Sequence, residues 1–282
     1  MNLRVLGVYR EVEFSPGKVA ADSAIMDAVL THLRNSGAQV SACSATSFVE
    51  NPLPTVDLVL AMCQGAPALS RLAAAAQGGA VVVNSALAIR NCYRDLLGPG
   101  LTNARVPAPE GVVVGTTSPI DWRPLRTLAL GAPMYVKRGD LHALAGDDVQ
   151  RVEGVEQLET TLARFAQRGI DRAYVQQEVP GVVVKFYGVG TGDEYFSAIS
   201  PEGFRLSDQM QRELLRAGRV AAGALGLEVW GGDAIFRDGR FAIVDFNDWP
   251  SFESVRQAAA AAIARRSLAL LRDHSTATWL AK

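Results

Sequence analysis

The first 83 residues alternate between two patterns of hydrophobic and polar positions. Short apolar runs typical of buried strands lie at residues 3–9, 39–45, 56–62 and 80–83. Between them, residues Ala21 to Arg34 carry apolar side chains at helical spacing, and an Ala-rich segment begins near Pro67. Strands that alternate with helices predict a parallel sheet covered on both faces, as in a Rossmann-like domain.

The remaining sequence predicts a mixed α/β arrangement with α+β lobes. Asn84-Ser85 predicts the start of a helix that runs to Leu97 and ends at Gly98-Pro99-Gly100. Further helices are predicted at about 118–128, 155–167, 207–225 and 253–272, and strands at 111–115, 134–138, 148–152, 173–179, 182–190, 195–199 and 228–230. We expect three domains, at residues 1–90, 91–178 and 179–282.

A hairpin near the end of the chain carries the clearest candidate chemistry. Gly232 to Phe236 and Phe241 to Asn247 read as strands joined by an Asp-Gly turn. Asp245 and Asn247 are two apart and therefore share a face, and the hairpin can fold Asp233 beside them. These oxygen ligands predict a Mg²⁺ site. The alternative is an edge hairpin whose acids face water, although Asp245 lies within an unusually apolar strand.

Other polar residues adjoin predicted strands. Lys137 ends an apolar strand before a Gly-containing turn, where a cation can hold a phosphate. Lys185 interrupts another apolar strand, and a solvent-facing position is an equally tenable interpretation. The loops at 9–18 and 63–66 follow strand carboxyl ends and are candidate substrate loops. Within the first loop, Arg10 and Lys18 are interpreted singly as solvated surface residues.

Composition narrows the classes of partner. The chain has 282 residues and a net charge of −1, with 28 basic and 29 acidic residues interspersed. No polybasic field is present, so we expect neither nucleic acid nor a membrane as partner. The N-terminus reads as a strand and no apolar run reaches membrane-spanning length, which predicts a cytoplasmic protein. The three cysteines lack metal-ligand spacing.

Four short motifs, taken in order, resemble those of the ATP-grasp superfamily over most of the chain. They are Asn84-Ser85 with Tyr93–Leu97, Met134–Lys137, Val175–Val179, and the set Asp233, Asp245 and Asn247. The resemblance implies an ATP-grasp fold in which two lobes clasp ATP beside the Rossmann-like domain. The implied cofactors are ATP and two Mg²⁺ ions, with Mn²⁺ able to substitute.

The resemblance also implies roles for individual residues. Arg94, in place of the usual lysine, and Lys137 would bind nucleotide phosphates. Backbone amides at Gln177, Glu178 and Val179 would read the adenine edge, and an acid there would hold the ribose. His142 lies on the loop at 139–147, which is short enough to act as a lid, and it is a weaker phosphate candidate.

Two enzyme classes remain open for the acceptor. The glutathione synthetase and ribosomal-protein glutamate ligase branch implies an ADP-forming carboxylate–amine ligase acting on a small molecule or peptide, with Arg205 as the carboxylate clamp. The stretch around Lys185 is also similar to inositol trisphosphate 5/6-kinases, which implies phosphorylation of a polyol hydroxyl. A non-catalytic nucleotide-binding protein is a third alternative. Relatives also suggest a homodimer by analogy.

Overall fold

The computed structural model describes residues 3–141, 144–192 and 194–280. The elements in chain order are β1 (Arg4–Tyr9), α1 (Val19–Asn35), β2 (Gln39–Ser44), α2 (Ala45–Glu50), β3 (Leu58–Ala61), α3 (Ala66–Gln77), β4 (Val81–Val83), α4 (Ala86–Asn91), α5 (Arg94–Asn103), β5 (Gly111–Gly115), β6 (Met134–Arg138), β7 (Val149–Val152), α6 (Gly154–Gln167), β8 (Arg172–Gln177), β9 (Val182–Val189), β10 (Tyr195–Ile199), α7 (Asp208–Leu225), β11 (Val229–Arg237), β12 (Arg240–Asp248) and α8 (Arg256–Leu280). Short 3-10 turns lie at Val12–Phe14, Pro124–Thr127, Gly146–Asp148 and Glu253–Val255.

The strands form three four-stranded sheets. The N-terminal sheet has the order β2-β1-β3-β4 and is parallel throughout. The central sheet, β5-β8-β6-β7, and the C-terminal sheet, β10-β9-β11-β12, are antiparallel. The predicted mixed α/β class and the parallel first sheet are therefore confirmed. We propose domain boundaries near residues 90 and 178, which lie between the sheets.

The N-terminal and C-terminal sheets share one hydrophobic core. Ile25 and Met26 on α1 are fully buried together with Ile263 on α8. Trp249 and Phe252, which follow β12, belong to the same cluster. The last helix therefore packs against the first, and the segment that leaves β12 is held against the N-terminal sheet.

Asn84 joins these two sheets by hydrogen bonds. Its amide nitrogen donates to the Val229 carbonyl at 2.7 Å, and its amide oxygen accepts from the Glu228 and Val229 amides at 2.8 and 3.0 Å. The side chain is fully buried, so all of these bonds form away from water. The adjacent Ser85 caps α4 by accepting from the Ala88 amide.

The predicted helix from Asn84 to Leu97 is wrong, because the chain forms two helices there. α4 ends at Asn91, Tyr93 is extended, and α5 then continues through Gly98-Pro99-Gly100 to Asn103. Gly98 does not terminate the helix but allows close packing, since a Cβ there would lie 2.3 Å from the Tyr174 ring. Glycine is therefore needed at position 98 for packing against Tyr174 and not for ending the helix.

Two other predicted elements also differ. The helix expected at 118–128 is only the short turn Pro124–Thr127, because Pro124 would lie in the interior of that helix, where it removes a backbone donor and its ring clashes with the preceding turn. The strand expected at 228–230 is continuous with the first hairpin strand in β11. Gly232 permits this continuity, since a Cβ there would lie 2.2 Å from the Asp245 carbonyl oxygen.

Gly188→Ala is expected to destabilise the fold by about 1–3 kcal/mol, because it overpacks the core. Gly188 lies opposite Trp230 across β9 and β11, and a Cβ at Gly188 would come within 2.2 Å of the indole. Gly115→Ala on β5 is the matched control, since nothing lies within 4 Å of the added methyl. Urea unfolding of both variants tests this prediction, and equal free energies of unfolding would contradict it.

Within the part of the chain that the structure describes, no helix is long and apolar enough to cross a membrane.

Candidate active site

A row of charged side chains crosses the C-terminal sheet. Asp233 on β11 pairs with Asp245 on β12 and, on its other side, with Lys185 on β9. The Lys185 ammonium lies 3.2 Å from an Asp233 carboxylate oxygen. Asn247 is two residues beyond Asp245 on the same strand and shares its face. The structure thus brings the three predicted metal ligands together beside Lys185.

The carboxylates of Asp233 and Asp245 repel each other, and this repulsion contributes to the pKa of Asp233. Burial is the main cause that raises the pKa of Asp233, and the nearby Asp245 charge raises it further against the opposing effect of Lys185. Burial lowers the pKa of Lys185, but the charge and hydrogen bond of Asp233, together with the charges of Tyr187 and Asp245, outweigh burial, so the net pKa is raised. Two carboxylates on one face, accompanied by the Asn247 amide, offer oxygen ligands of the kind that a divalent cation prefers.

A β-bulge next to Asp245 exposes a backbone carbonyl to the central sheet. The register between β11 and β12 shifts after Asp233, so Val244 is an extra residue without a partner in the ladder. Its carbonyl accepts a hydrogen bond from the Lys137 ammonium at 3.0 Å. Lys137 also donates to the Gln176 side-chain oxygen at 2.6 Å. The bulge therefore lets Lys137 on β6 reach across to β12, the strand that carries Asp245 and Asn247.

Lys137 is the most perturbed cation at this point. Its side chain is buried, which is the main cause that lowers its pKa to about 8. The Asp245 and Asp233 charges oppose this shift, whereas the Arg94 charge reinforces it. A buried ammonium with two hydrogen bonds and a depressed pKa would gain from an added anion.

Arg94 is the first residue of α5 and points at the same place. Its side chain is 7% exposed, and Nη2 lies 4.0 Å from an Asp245 carboxylate oxygen. Two of its nitrogens, Nε and Nη1, are buried without a hydrogen-bond partner. Unsatisfied buried donors are costly, and a phosphate oxygen could satisfy them. Arg94, Lys137 and Asp245 therefore surround a location suited to an anion beside a cation.

The donor set suits a metal that takes part of its shell from a ligand or from water. Among the described residues, no group of three His, Cys, Asp or Glu side chains is placed to hold a metal. Asp233, Asp245 and Asn247 instead offer two carboxylates and one amide. Mg²⁺ is commonly held by one or two carboxylates together with substrate phosphates.

The predicted adenine segment makes internal contacts in this structure. The Gln177 amide donates to the Glu110 carbonyl at 2.8 Å, and the Glu178 amide donates to the Pro133 carbonyl at 3.0 Å. The Glu178 carboxylate pairs with Arg151 at 2.9 Å. Contacts from 177–179 to a nucleotide therefore stay a prediction. His142 lies outside the described residues.

A cleft of about 620 Å³ opens on the N-terminal side of the charged row. Phe14, Ser15 and Lys18 line it from the loop at 9–18, which was a predicted substrate loop. Tyr187, residues 250, 251, 253 and 254, and the set Asp233, Asp245 and Asn247 also line it. The cleft thus lies directly beside Asp233 and Asp245.

The second predicted substrate loop is largely engaged with the protein. The backbone amides of Gln64 and Gly65 both donate to the Glu11 carboxylate at 3.0 Å. The Gln64 side chain donates to Asp248 at 2.8 Å. Gln64 still lines the cleft. The loop at 63–66 therefore mainly fixes the shape of the cleft.

Two arginines differ from the descriptions that the sequence suggested for them individually. Arg10 lines the cleft with only 11% of its side chain exposed, so its interpretation as a solvated surface residue is wrong. Its position just after β1, at the carboxyl end of a parallel strand, was the signal that pointed to the site. Arg205 is exposed in the segment before α7 and does not lie among the residues described as lining the cleft.

Comparisons with known proteins found similarity in structure. No protein-family model matches the chain, and no curated protein matches it in sequence. The chain is similar to the D-alanine–D-alanine ligase from Bacillus anthracis complexed with ATP, with a TM-score of 0.73, 12% identity, and coverage of 97% of this chain and 99% of that chain. It is also similar to an ATP-grasp RimK domain protein from Sphaerobacter thermophilus (TM-score 0.66, 20% identity, coverage 94% and 99%). The VanG D-Ala:D-Ser ligase from Enterococcus faecalis is similar as well, with a TM-score of 0.71, 12% identity, and coverage of 96% and 100%.

Proposed function

Because the chain has the ATP-grasp fold, we propose that it is an ATP-dependent, ADP-forming carboxylate–amine ligase. The acceptor is the carboxylate of a small molecule or peptide, which receives the γ-phosphoryl group and is then attacked by an amine to give an amide and phosphate. The observation that carries this proposal is the convergence of Arg94, Lys137 and the paired carboxylates on the bulge beside Asp245. Phosphoryl transfer depends mainly on such charge placement.

The residues present fit Mg²⁺ and a nucleotide triphosphate. Asp233, Asp245 and Asn247 would hold Mg²⁺, for which Mn²⁺ would substitute, and two ions would accompany the nucleotide. Arg94 has two buried donors without partners, and Lys137 has a depressed pKa, so both would gain from phosphate oxygens. Bound Mg-ATP supplies the transferable phosphoryl group. The protein's own contribution is to neutralise charge and to orient the acceptor.

Charge balance in the cleft favours a carboxylate acceptor over a polyphosphate. Arg10 pairs with Asp22 at 3.1 Å, and Lys185 pairs with Asp233 at 3.2 Å. A polyphosphate would need several cations without such partners. Lys185 lines the cleft beside the metal-ligand row, so we assign the acceptor contact to it. Arg205 is exposed and is not among the described residues that line the cleft, so a contact between Arg205 and the acceptor carboxylate stays a prediction.

The test is a Mg-ATP assay over a panel of amino acids, short peptides, hydroxy acids and inositol phosphates, in which ADP and free phosphate are measured separately. A ligase releases ADP and phosphate in equal amounts, requires both a carboxylate and an amine, and gives a hydroxamate when hydroxylamine is added. ADP without free phosphate, with the phosphoryl group retained on a hydroxyl, would replace the ligase proposal by a kinase. Tight Mg-ATP binding without turnover would indicate a non-catalytic nucleotide-binding protein.

ATP affinity is expected to fall as the pH rises through about 8, the pKa of Lys137 in the ligand-free protein. Below this pH the ammonium is charged, whereas at higher pH it must take up a proton to bind phosphate. The affinity should therefore drop by up to about tenfold between pH 7 and pH 9. Calorimetric titration at both pH values measures this change. Lys137→Met should abolish the pH dependence, and an equally steep dependence in that variant would assign it to another group.

A further inference from the structure

The backbone leaves β12 in an unfavourable conformation just beyond the proposed metal ligands. Trp249 has a φ of 40°, in the left-handed region that side chains other than glycine rarely adopt. It lies two residues after Asn247 and is fully buried. Such a conformation persists only where surrounding contacts fix it. The contacts at Trp249 therefore help to determine where Asn247 is held.

Arg10 supplies a large part of these contacts. Its Nη2 donates to the carbonyl oxygens of Trp249 and Asp248 at 2.8 and 3.2 Å. Its Nε donates to the Met62 carbonyl at 3.1 Å, and Nη1 donates to Asp22 at 3.1 Å. One planar guanidinium thus binds the successive carbonyls of Asp248 and Trp249 at the end of β12 and the Met62 carbonyl just after β3. A lysine ammonium is a single compact charge and cannot span these acceptors.

The same contacts continue into the wall of the cleft. Asp22, the carboxylate partner of Arg10, accepts a hydrogen bond from the Ser15 hydroxyl at 2.7 Å. Ser15 and Asp22 are both buried and both line the cleft. A continuous set of hydrogen bonds therefore runs from the loop at 9–18, through Arg10, to the residues that follow Asn247.

Other bonds hold Trp249 from different directions. Its backbone amide donates to the Val229 carbonyl at 3.2 Å, and its indole donates to the Val83 carbonyl at 3.2 Å. These contacts fix the nitrogen and the ring, whereas Arg10 fixes the carbonyl side of the peptide. Loss of Arg10 would therefore allow the end of β12 to relax without unfolding the sheet.

We propose that Arg10 is a positioning residue that holds Asn247 in the geometry required for the metal and connects it to the acceptor side of the cleft. This inference rests on the proposed Mg-ATP site. Arg10 acts through the backbone of Asp248 and Trp249 and does not itself bind the metal. Residues that orient metal ligands typically change metal affinity by 10- to 100-fold when they are replaced.

The experiment compares Arg10→Lys with Arg4→Lys. Arg4 lies on β1, the strand that Arg10 directly follows, and it pairs with Asp57 at 3.2 Å, but Arg4 and Asp57 are both on the surface. Electron paramagnetic resonance of Mn²⁺ with an unhydrolysable ATP analogue measures metal binding without turnover. The melting temperature without ligand reports the stability of each variant. The rise in melting temperature when Mn²⁺ and the analogue are added reports binding, because a ligand stabilises the fold according to its affinity.

We expect Arg10→Lys to weaken Mn²⁺–nucleotide binding by about tenfold or more and to reduce the ligand-induced rise in melting temperature. Arg4→Lys should match the wild type in both. Wild-type binding by a folded Arg10→Lys variant would overturn the inference and leave the proposed function intact. Absence of binding by the wild-type protein would overturn both.

Ser15→Ala is the milder second variant. It removes only the hydroxyl that orients Asp22, so it should weaken binding in the same direction by a smaller factor. Should Arg10→Lys fail to fold, this variant decides the question, and an unchanged dissociation constant would overturn the inference.

Discussion

Replacing Asp245 by asparagine is expected to reduce ADP formation by roughly a thousandfold or more while the fold remains intact. Asp245 faces Asp233 across the hairpin, where we propose that the metal binds. It also lies 4.0 Å from Arg94, which we propose binds a nucleotide phosphate. A metal contributes several kcal/mol of charge stabilisation in phosphoryl transfer, and each 1.36 kcal/mol is a factor of ten in rate. The substitution keeps the side-chain shape, so the core should not change.

Asp238→Asn is the matched control in the same hairpin. Asp238 lies in the turn with a φ of 49°, a conformation that asparagine also tolerates, and its side chain is 87% exposed. Turnover by this variant should equal that of the wild type. Activity should be measured in metal-defined buffer, together with the melting temperature. Wild-type turnover by the Asp245 variant under these conditions would rule out Asp245 as a metal ligand.

Lys137→Met is expected to weaken ATP binding by about 10- to 100-fold. A hydrogen bond to a charged group contributes about 1.5–3 kcal/mol, and the loss of the ammonium removes this contribution from the phosphates. Methionine keeps much of the volume of a side chain that is only 8% exposed. The variant also leaves the Gln176 and Val244 oxygens without this donor, so some loss of stability should accompany it.

Lys18→Met provides the control for this measurement. Lys18 is exposed and lines the cleft from the loop at 9–18, whereas Lys137 is not among the residues that line it. Its removal changes the net charge equally but should leave the dissociation constant for ATP unchanged. A similar loss of affinity in both variants would indicate a general effect of charge. An unchanged affinity in the Lys137 variant would remove Lys137 from the nucleotide site.

The hairpin of β11 and β12, which carries Asp233, Asp245 and Asn247, could be predicted from local sequence. The Asp-Gly turn fixes the pairing of two short apolar strands, and the two-residue period then places Asp245 and Asn247 on one face. The motif order indicated the ATP-grasp fold, which the solved structures confirm although they are 12–20% identical to this chain. Short sequence motifs with strict geometry were therefore sufficient to predict the fold. They were also sufficient to predict that Asp233, Asp245 and Asn247 lie close together.

The contacts that complete the site could not be predicted in this way. The bulge at Val244 leaves no mark in the hydrophobic pattern, yet it creates the carbonyl that Lys137 binds. Arg10 binds backbone atoms 238 and 239 residues away, and such contacts carry no local signal. Gly98 gave a misleading signal, because a glycine required for packing on Tyr174 resembles a helix terminator.

Titration of the wild-type protein with an unhydrolysable ATP analogue, in Mg²⁺ and then in EDTA, tests the central claim most directly. One location is shared by Arg94, Lys137 and the hairpin that carries Asp233, Asp245 and Asn247. We therefore predict a single site per chain that binds the analogue much more tightly in the presence of Mg²⁺. Asp245→Asn should lose this dependence on Mg²⁺. Binding of equal strength in Mg²⁺ and EDTA, or no binding at all, would contradict the assignment of this location as a Mg-ATP site.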